Sequence, residues 1–260
     1  MMRSLYTAAT GMGAQQLNMD VIANNLSNVN TTGFKKSRAD FEDLMYQTMR
    51  QPGATQAAGQ MIPTGVQVGL GVKPVAIQKL FSQGDYQRTE NQLDLAIEGN
   101  GFFKVLKGDE EVYTRSGAFK LDNTGVLVDS NGYVLQPQFT VPDGTTSVTI
   151  DASGQITALG SGGTVLGQAQ LTLYKFANPA GLFAIGKNLF RASPASGAST
   201  EGNPGTNEFG TIAQGFLEMS NVSVVDEMVN MIVAQRAYEA NSKSIQTADA
   251  MLQMANNVKR

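Results

Sequence analysis

Apolar residues recur every seven positions near the start of the chain, at Leu5, Met12, Met19 and Leu26. Ala8, Ile22 and Val29 sit three positions further on, with Gln15 as the polar exception. This is the spacing of a coiled-coil face, and it predicts a helix of about four heptads. Asn24, Asn25, Asn28 and Asn30 crowd its end, and Gly33 is a natural stop. The far end repeats the pattern at Val224, Met231, Tyr238, Ile245 and Leu252. The residues three further on, Glu227, Ala234, Asn241, Ala248 and Ala255, are mostly small, which lets another helix come close. Asp226 and Glu227 in its first turn, and Lys259 and Arg260 after its last, suit the helix dipole. Two such helices are expected to pair with each other as a coiled coil; two caps on a globular core are the alternative.

The middle of the chain has a period of two. Leu93–Ile97 alternates, 101–106 is a compact apolar run, and 113–121 and 125–135 alternate around Asn123-Thr124-Gly125 and Asn131-Gly132. Asn-Gly between alternating segments is a strong hairpin signal. Further strands are expected at 147–150, 155–159 and 165–176, with no helical period between them, so the domain should be antiparallel rather than βαβ. Residues 177–208, rich in Ala, Gly, Ser, Asn and Pro, look like a long surface excursion. The fold expected is therefore α+β. Residues 1–33 and 222–260 form the helical part, 34–74 an extended β linker, and 75–221 a mainly antiparallel β domain.

One stretch of the linker stands apart. From Gln51 to Val72 there is no charged residue. A flexible linker is the plain explanation. Solvated linkers of this length usually carry charge, so uncharged Gln, Thr and Ala point instead to burial between neighbours.

Composition narrows the chemistry. The chain has 260 residues, 28 of them Gly, and no His, Cys or Trp. Without His there is no Ser-His-Asp triad and no His-bound zinc; without Cys there is no thiolate nucleophile and no disulfide. A net charge of −3, with no Lys/Arg run longer than two, argues against nucleic acid. No apolar run approaches the length of a membrane span, and the first residues lack the form of a cleaved signal peptide. No pattern calls for a cofactor or a metal.

Several motifs come close to known chemistry. Residues 181–187 have the spacing of a P-loop, but Asn188 stands where Ser or Thr should hold magnesium, and no helical pattern follows. Asp129-Ser130-Asn131-Gly132 and Asp151-Ala152-Ser153-Gly154 begin like calcium loops yet fit plain β-turns better. Paired carboxylates for glycoside cleavage need no His, and Asp94, Glu98, Asp109, Glu110 and Glu111 are candidates.

The two ends carry a more specific signal. Ser4-Leu5-Tyr6-Thr7-Ala8-Ala9-Thr10-Gly11-Met12 leads into Asn18-Met19-Asp20-Val21-Ile22-Ala23-Asn24-Asn25-Leu26-Ser27-Asn28-Val29. This resembles the N-terminal signature of the bacterial flagellar axial proteins, the rod and hook family. Val229-Asn230-Met231-Ile232-Val233-Ala234-Gln235-Arg236-Ala237-Tyr238-Glu239-Ala240-Asn241 resembles the family's second signature, and Ala96-Ile97-Glu98-Gly99-Asn100-Gly101-Phe102-Phe103 the start of its β domain.

The resemblance implies a non-catalytic subunit that assembles into a rigid, hollow helical tube, turns with the motor and encloses an export channel. It implies further copies of the chain, proximal rod proteins, the hook protein, and peptidoglycan and outer-membrane ring proteins as neighbours. It also implies export through the flagellar type III apparatus to the basal body, between periplasm and outer membrane. A sibling role within the family, or a secreted β-rich binding or glycan-cleaving module, are the alternatives. The expected subunit contacts are Leu5, Met12, Met19, Ile22, Leu26, Val29, Val224, Met231, Tyr238, Ile245 and Leu252. Residues 46–66 resemble a stretch that distinguishes rod from hook members. Within it Tyr46, Pro52, Gly53, Pro63 and Gly65 are expected to stiffen the tube, the prolines by restricting the backbone and the glycines by allowing tight bends.

Overall fold

The computed structural model describes residues 2–52, 64–206 and 208–258. Two helices frame the chain, α1 over Met2–Ser27 and α2 over Val224–Val258, with a mostly antiparallel β domain between them. The α+β plan expected from the two periodicities is thus present. α1 ends before Val29, the last member of its apolar stripe. The Thr31 N–H donates to the Asn28 carbonyl at 3.2 Å and closes a turn there instead. Gly33 follows with φ +69°, and a β-carbon on it would lie 2.5 Å from the Ser116 nitrogen, so only glycine fits.

The chain forms two compact units. The first comprises Met1–Leu26, Ser37–Gln78 and Val224–Arg260. Beside the two helices it holds a two-stranded ribbon: Ser37–Asp43 pairs with Val72–Lys79, and Tyr46–Arg50 pairs antiparallel with Val66–Gly69. Tyr46 opposes Gly69, and Arg50 opposes Val66 across a bulge.

The second unit comprises Ser27–Lys36 and Lys79–Ser223. Its main sheet has seven antiparallel strands in the order Phe183–Gly186, Leu189–Arg191, Glu110–Thr114, Phe103–Lys107, Val134–Gln136, Leu127–Asp129 and Phe119–Leu121. A three-stranded sheet of Thr145–Ile150, Gln155–Gly160 and Val165–Gln170 stands beside it, and three strand pairs complete the unit. Both Asp-initiated turns are β-turns, closed by Gly132 N–H to the Asp129 carbonyl and Gly154 N–H to the Asp151 carbonyl, each at 2.8 Å.

Neighbouring residues enter two different cores. Phe103, Val112, Leu173 and Leu189 belong to a large, mostly aliphatic cluster. Phe102, Tyr113, Tyr174 and Phe190, each one position away, belong to an aromatic one. Successive side chains of a strand point to opposite faces, so the sheet is covered on both sides where these pairs occur. Edge-to-face rings fix the aromatic core, with Tyr113 and Phe176 at 4.8 Å and 87°. The same alternation corrects the reading of 177–208 as a surface excursion. That segment contains the strands Phe183–Gly186, Leu189–Arg191 and Thr200–Gly202. Leu189 and Phe190 are buried one on each face, a signal too short to stand out in Gly- and Ala-rich surroundings.

One charged cluster ties the second unit together. Glu218, at the end of the strand Phe216–Glu218, accepts from Lys35 Nζ and from Arg115 Nε, each at 2.6 Å. The Gly84 N–H adds a third bond to this carboxylate at 3.1 Å. Lys35 also donates to the Ser82 carbonyl at 2.7 Å, and the Arg115 guanidinium to the carbonyls of Ile97, Gly99 and Gly101. All three charged groups are buried. Removing one partner of such a cluster strands the others, at a typical cost of about 3–5 kcal/mol. Glu218→Gln is therefore expected to lower the unfolding free energy by that order, measured by urea titration.

Tyr86 lies near this cluster and donates its hydroxyl to the Ile97 carbonyl at 3.2 Å. Burial and the charges of Glu218 and Glu98 push its pKa up to about 12, against the pull of Arg115. A phenol whose pKa is raised on folding adds stability that is complete below pH ~10 and is lost as pH rises toward the folded value. Denaturation midpoints followed through this alkaline range should fall less steeply for Tyr86→Phe than for the parent.

Candidate assembly surface

α1 and α2 touch at points fourteen residues apart on each helix, running in opposite directions. Asn25 Nδ2 donates to Glu227 Oε2 at 3.2 Å. Near the other end, a β-carbon on Gly11 would lie 2.9 Å from the Asn241 amide nitrogen. Asn25 also donates to the Ser37 carbonyl at 2.8 Å and accepts from the Ser37 N–H at 2.9 Å. One buried amide thus joins both helices to the first strand of the ribbon.

The ribbon returns along α1. Gly71 lies against Thr10, whose hydroxyl a β-carbon on Gly71 would approach to 2.3 Å, and Arg3 reaches the Met49 sulfur at 4.0 Å. From Asn25 to Arg3 the helix runs about 33 Å at 1.5 Å per residue. Fully extended, the chain from Ser37 to Met49 would reach about 40 Å at 3.3 Å per residue, enough to cover that length across the break between the strands Ser37–Asp43 and Tyr46–Arg50.

The expected contact residues occupy unequal positions. In α1, Ile22 is buried, and Leu5, Met12, Met19 and Leu26 are half-buried; Val29 is half-buried in the turn beyond. In α2, Met231 and Ile245 are half-buried, whereas Val224, Tyr238 and Leu252 are exposed. The deepest positions of α2 are the residues three further on, Glu227, Ala234 and Ala248.

In the linker, Tyr46 is exposed, with its ring over Gly69, where a β-carbon would lie 3.3 Å from Cε1. A hydrogen bond to Asp43 and the charge of that carboxylate hold the Tyr46 phenol above its ordinary pKa. Pro52 is exposed, and a β-carbon on Gly65 would meet Pro52 Cδ and the Arg50 carbonyl at 2.7 Å. Gly53 and Pro63 lie outside the described residues.

Two apolar surfaces were not anticipated. On α2, Val225, Met228, Val229, Ile232 and Val233 are exposed, from 51% to 71%. Their spacing of i, i+3, i+4, i+7 and i+8 defines a second stripe on the side away from Glu227 and Ala234. It was legible in the sequence but overshadowed by the seven-residue repeat. On the ribbon, Met45, Met49, Val66, Val68, Val75 and Ile77 are exposed as well. Exposed apolar residues grouped on one element make each a candidate interaction surface.

The candidate carboxylates serve local contacts. Asp94 is buried and accepts from Thr89 Oγ1 at 2.6 Å and Asn91 Nδ2 at 3.1 Å. Glu110 pairs with Arg191 and Glu111 with Lys104. Of the P-loop-like 181–187, Gly181 ends the short 3-10 helix Pro179–Gly181, and the rest runs into a β-hairpin of Phe183–Gly186 and Leu189–Arg191 whose turn residues Lys187 and Asn188 have φ of 55° and 59°. No helix among the described residues is long and apolar enough to cross a membrane.

Comparison with known proteins agrees along the whole chain. Residues 5–35 match the family model described as flagella basal body rod protein. Residues 96–158 match the flagellar hook protein FlgE/F/G D1 domain, and 213–258 the flagellar basal body rod FlgEFG protein C-terminal region. The flagellar basal-body rod protein FlgG of Borreliella burgdorferi is 51% identical, with both chains covered completely. The proteins of the same name from Caulobacter vibrioides and Bacillus subtilis are 46% and 43% identical, over 99% and 100% of this chain and the whole of each relative. With relatives this similar from end to end, the chain belongs to the flagellar basal-body rod protein family.

Proposed function

We propose that the protein is the structural subunit of the distal rod, assembling into a stiff hollow tube that carries torque to the hook and encloses the export channel. The observation that carries this reading is the full-length similarity to flagellar basal-body rod proteins. In this reading α1 and α2 pair as an antiparallel coiled coil and line the inner tube, and the exposed stripe of α2 and the apolar ribbon meet further copies. The β domain lies outside, toward the peptidoglycan and outer-membrane rings. Proximal rod proteins and the hook protein adjoin the two ends of the tube, and subunits arrive through the type III export apparatus. No step of this function requires catalysis. Concentrated purified protein should form tubes visible by negative-stain electron microscopy; a chain that stays monomeric and is dispensable for rod formation in cells would overturn the reading.

A charge in the helix contact tests the inner tube. Ile22 is buried, and an unpaired carboxylate there costs several kcal/mol. Ile22→Asp should abolish tubes and motility while urea unfolding of the β domain keeps its midpoint. Normal motility in this variant would remove α1 from the assembly contact.

Stiffness is tested in the linker. Deleting Ala54–Ile62 shortens the uncharged stretch and leaves both helices intact. Filaments should still form but bend more, as measured from their curvature on imaged grids. Unchanged bending would make this segment a passive connector.

A further inference from the structure

Beside the Lys35–Glu218–Arg115 cluster lies a cavity of about 200 Å³, walled by Phe81, Phe102 and Phe176. Lys35 and Arg115 both line it, with Lys175 as a third cation. Lys35 and Arg115 are more than nine-tenths buried, yet the cluster supplies them with a single carboxylate. The wall therefore carries one positive charge in excess, in surroundings where an uncompensated charge is costly. The Arg115 donors go to Glu218 and to backbone carbonyls. Lys35 has three donors and gives two, to Ser82 and Glu218. The third cation, Lys175, is held by Glu208, whose side chain is 82% exposed, a partner readily exchanged. Burial, with a smaller push from the neighbouring Arg115, holds Lys35 below its ordinary pKa although Glu218 pulls the other way.

We propose that this cavity is a socket for a carboxylate on a short hydrocarbon stem, held by Lys35 and Lys175, with its stem among the phenylalanine rings. The size is suitable, since an apolar cavity of about 150 Å³ accepts benzene. Two sources offer this chemistry: a free monocarboxylic acid, or an acidic side chain of a neighbouring copy. Asp109 fits the second, at the exposed tip between the strands Phe103–Lys107 and Glu110–Thr114. The second source rests on the assembly reading; the socket itself does not.

Calorimetric titration of the purified full chain with benzoate and butyrate, against benzamide and butyramide, tests the socket. The acids should bind saturably in the millimolar range, and the amides at least about tenfold more weakly, because a charge-assisted hydrogen bond is lost. Lys175→Met should weaken the acids by a similar factor with an unchanged circular dichroism spectrum. Equal binding of acids and amides, or no binding of either, overturns the proposal. Assembled tubes distinguish the sources. If tubes bind benzoate as the monomer does, the ligand is a free acid. If tubes exclude it and Asp109→Asn tubes admit it, the occupant is the neighbour's Asp109. Acid binding by a chain that never forms tubes would count against the rod reading and leave the socket standing.

Discussion

The β domain depends on one carboxylate. Glu218 is the meeting point of Lys35, just after the first helix, and Arg115, in the turn between Glu110–Thr114 and Phe119–Leu121. The strand that carries it, Phe216–Glu218, pairs with Tyr86–Arg88, and its own carbonyl accepts the Gly33 N–H at 2.8 Å. Arg115 in turn holds three carbonyls around Ile97–Gly101, where the main sheet begins. Segments distant in sequence are thus fixed by ionic hydrogen bonds whose geometry is specific, which apolar contacts alone would not ensure.

Around this cluster the sheet is built from paired residues of opposite destination. Phe102 and Phe103 are identical neighbours, yet one enters the smaller, mostly aromatic core and the other the larger core, where Phe119 and aliphatic side chains surround it. A sheet buried on both faces has little tolerance for a one-residue slip, because every side chain would enter the wrong core. That constraint explains how the three-residue strand Leu189–Arg191, with Leu189 and Phe190 buried on opposite faces, holds a fixed register.

Much of this was legible in the sequence, and the gaps have physical causes. The seven-residue repeats located both helices, and Gly125 and Gly132 located the hairpin turns, because backbone preference and side-chain period are local properties. Arg115 and Glu218 left no such trace, since each is a lone charge whose partner is a hundred residues away. The strands at Phe183 and Leu189 were hidden by the small residues around them. In α2 the repeat marked two sets of positions, the larger residues every seven and the mostly small ones three further on. Ala234 and Ala248, of the second set, are the ones that are buried, whereas Val224, Tyr238 and Leu252, of the first, stay exposed. Asn25 was read as a helix-ending residue, and its role as the joint between α1, α2 and the ribbon depends on Ser37 and Glu227, which no local pattern links to it.

The Asn25 joint also bears on chemical ageing. Asparagine amides hydrolyse through a ring closed by the following backbone nitrogen, fastest when glycine follows. Asn131 precedes Gly132 in an exposed turn, where conversion to a carboxylate would do little harm. Asn25 precedes the bulky Leu26 in a helix, and its amide is engaged by Ser37 and Glu227, so ring closure is hindered in both sequence and space. An aspartate at this position would set two carboxylates against each other in a buried site and lose the donor that Ser37 accepts. The amide that cannot be exchanged for an acid is the one kept from becoming one, and the joint should outlast the turns on the surface.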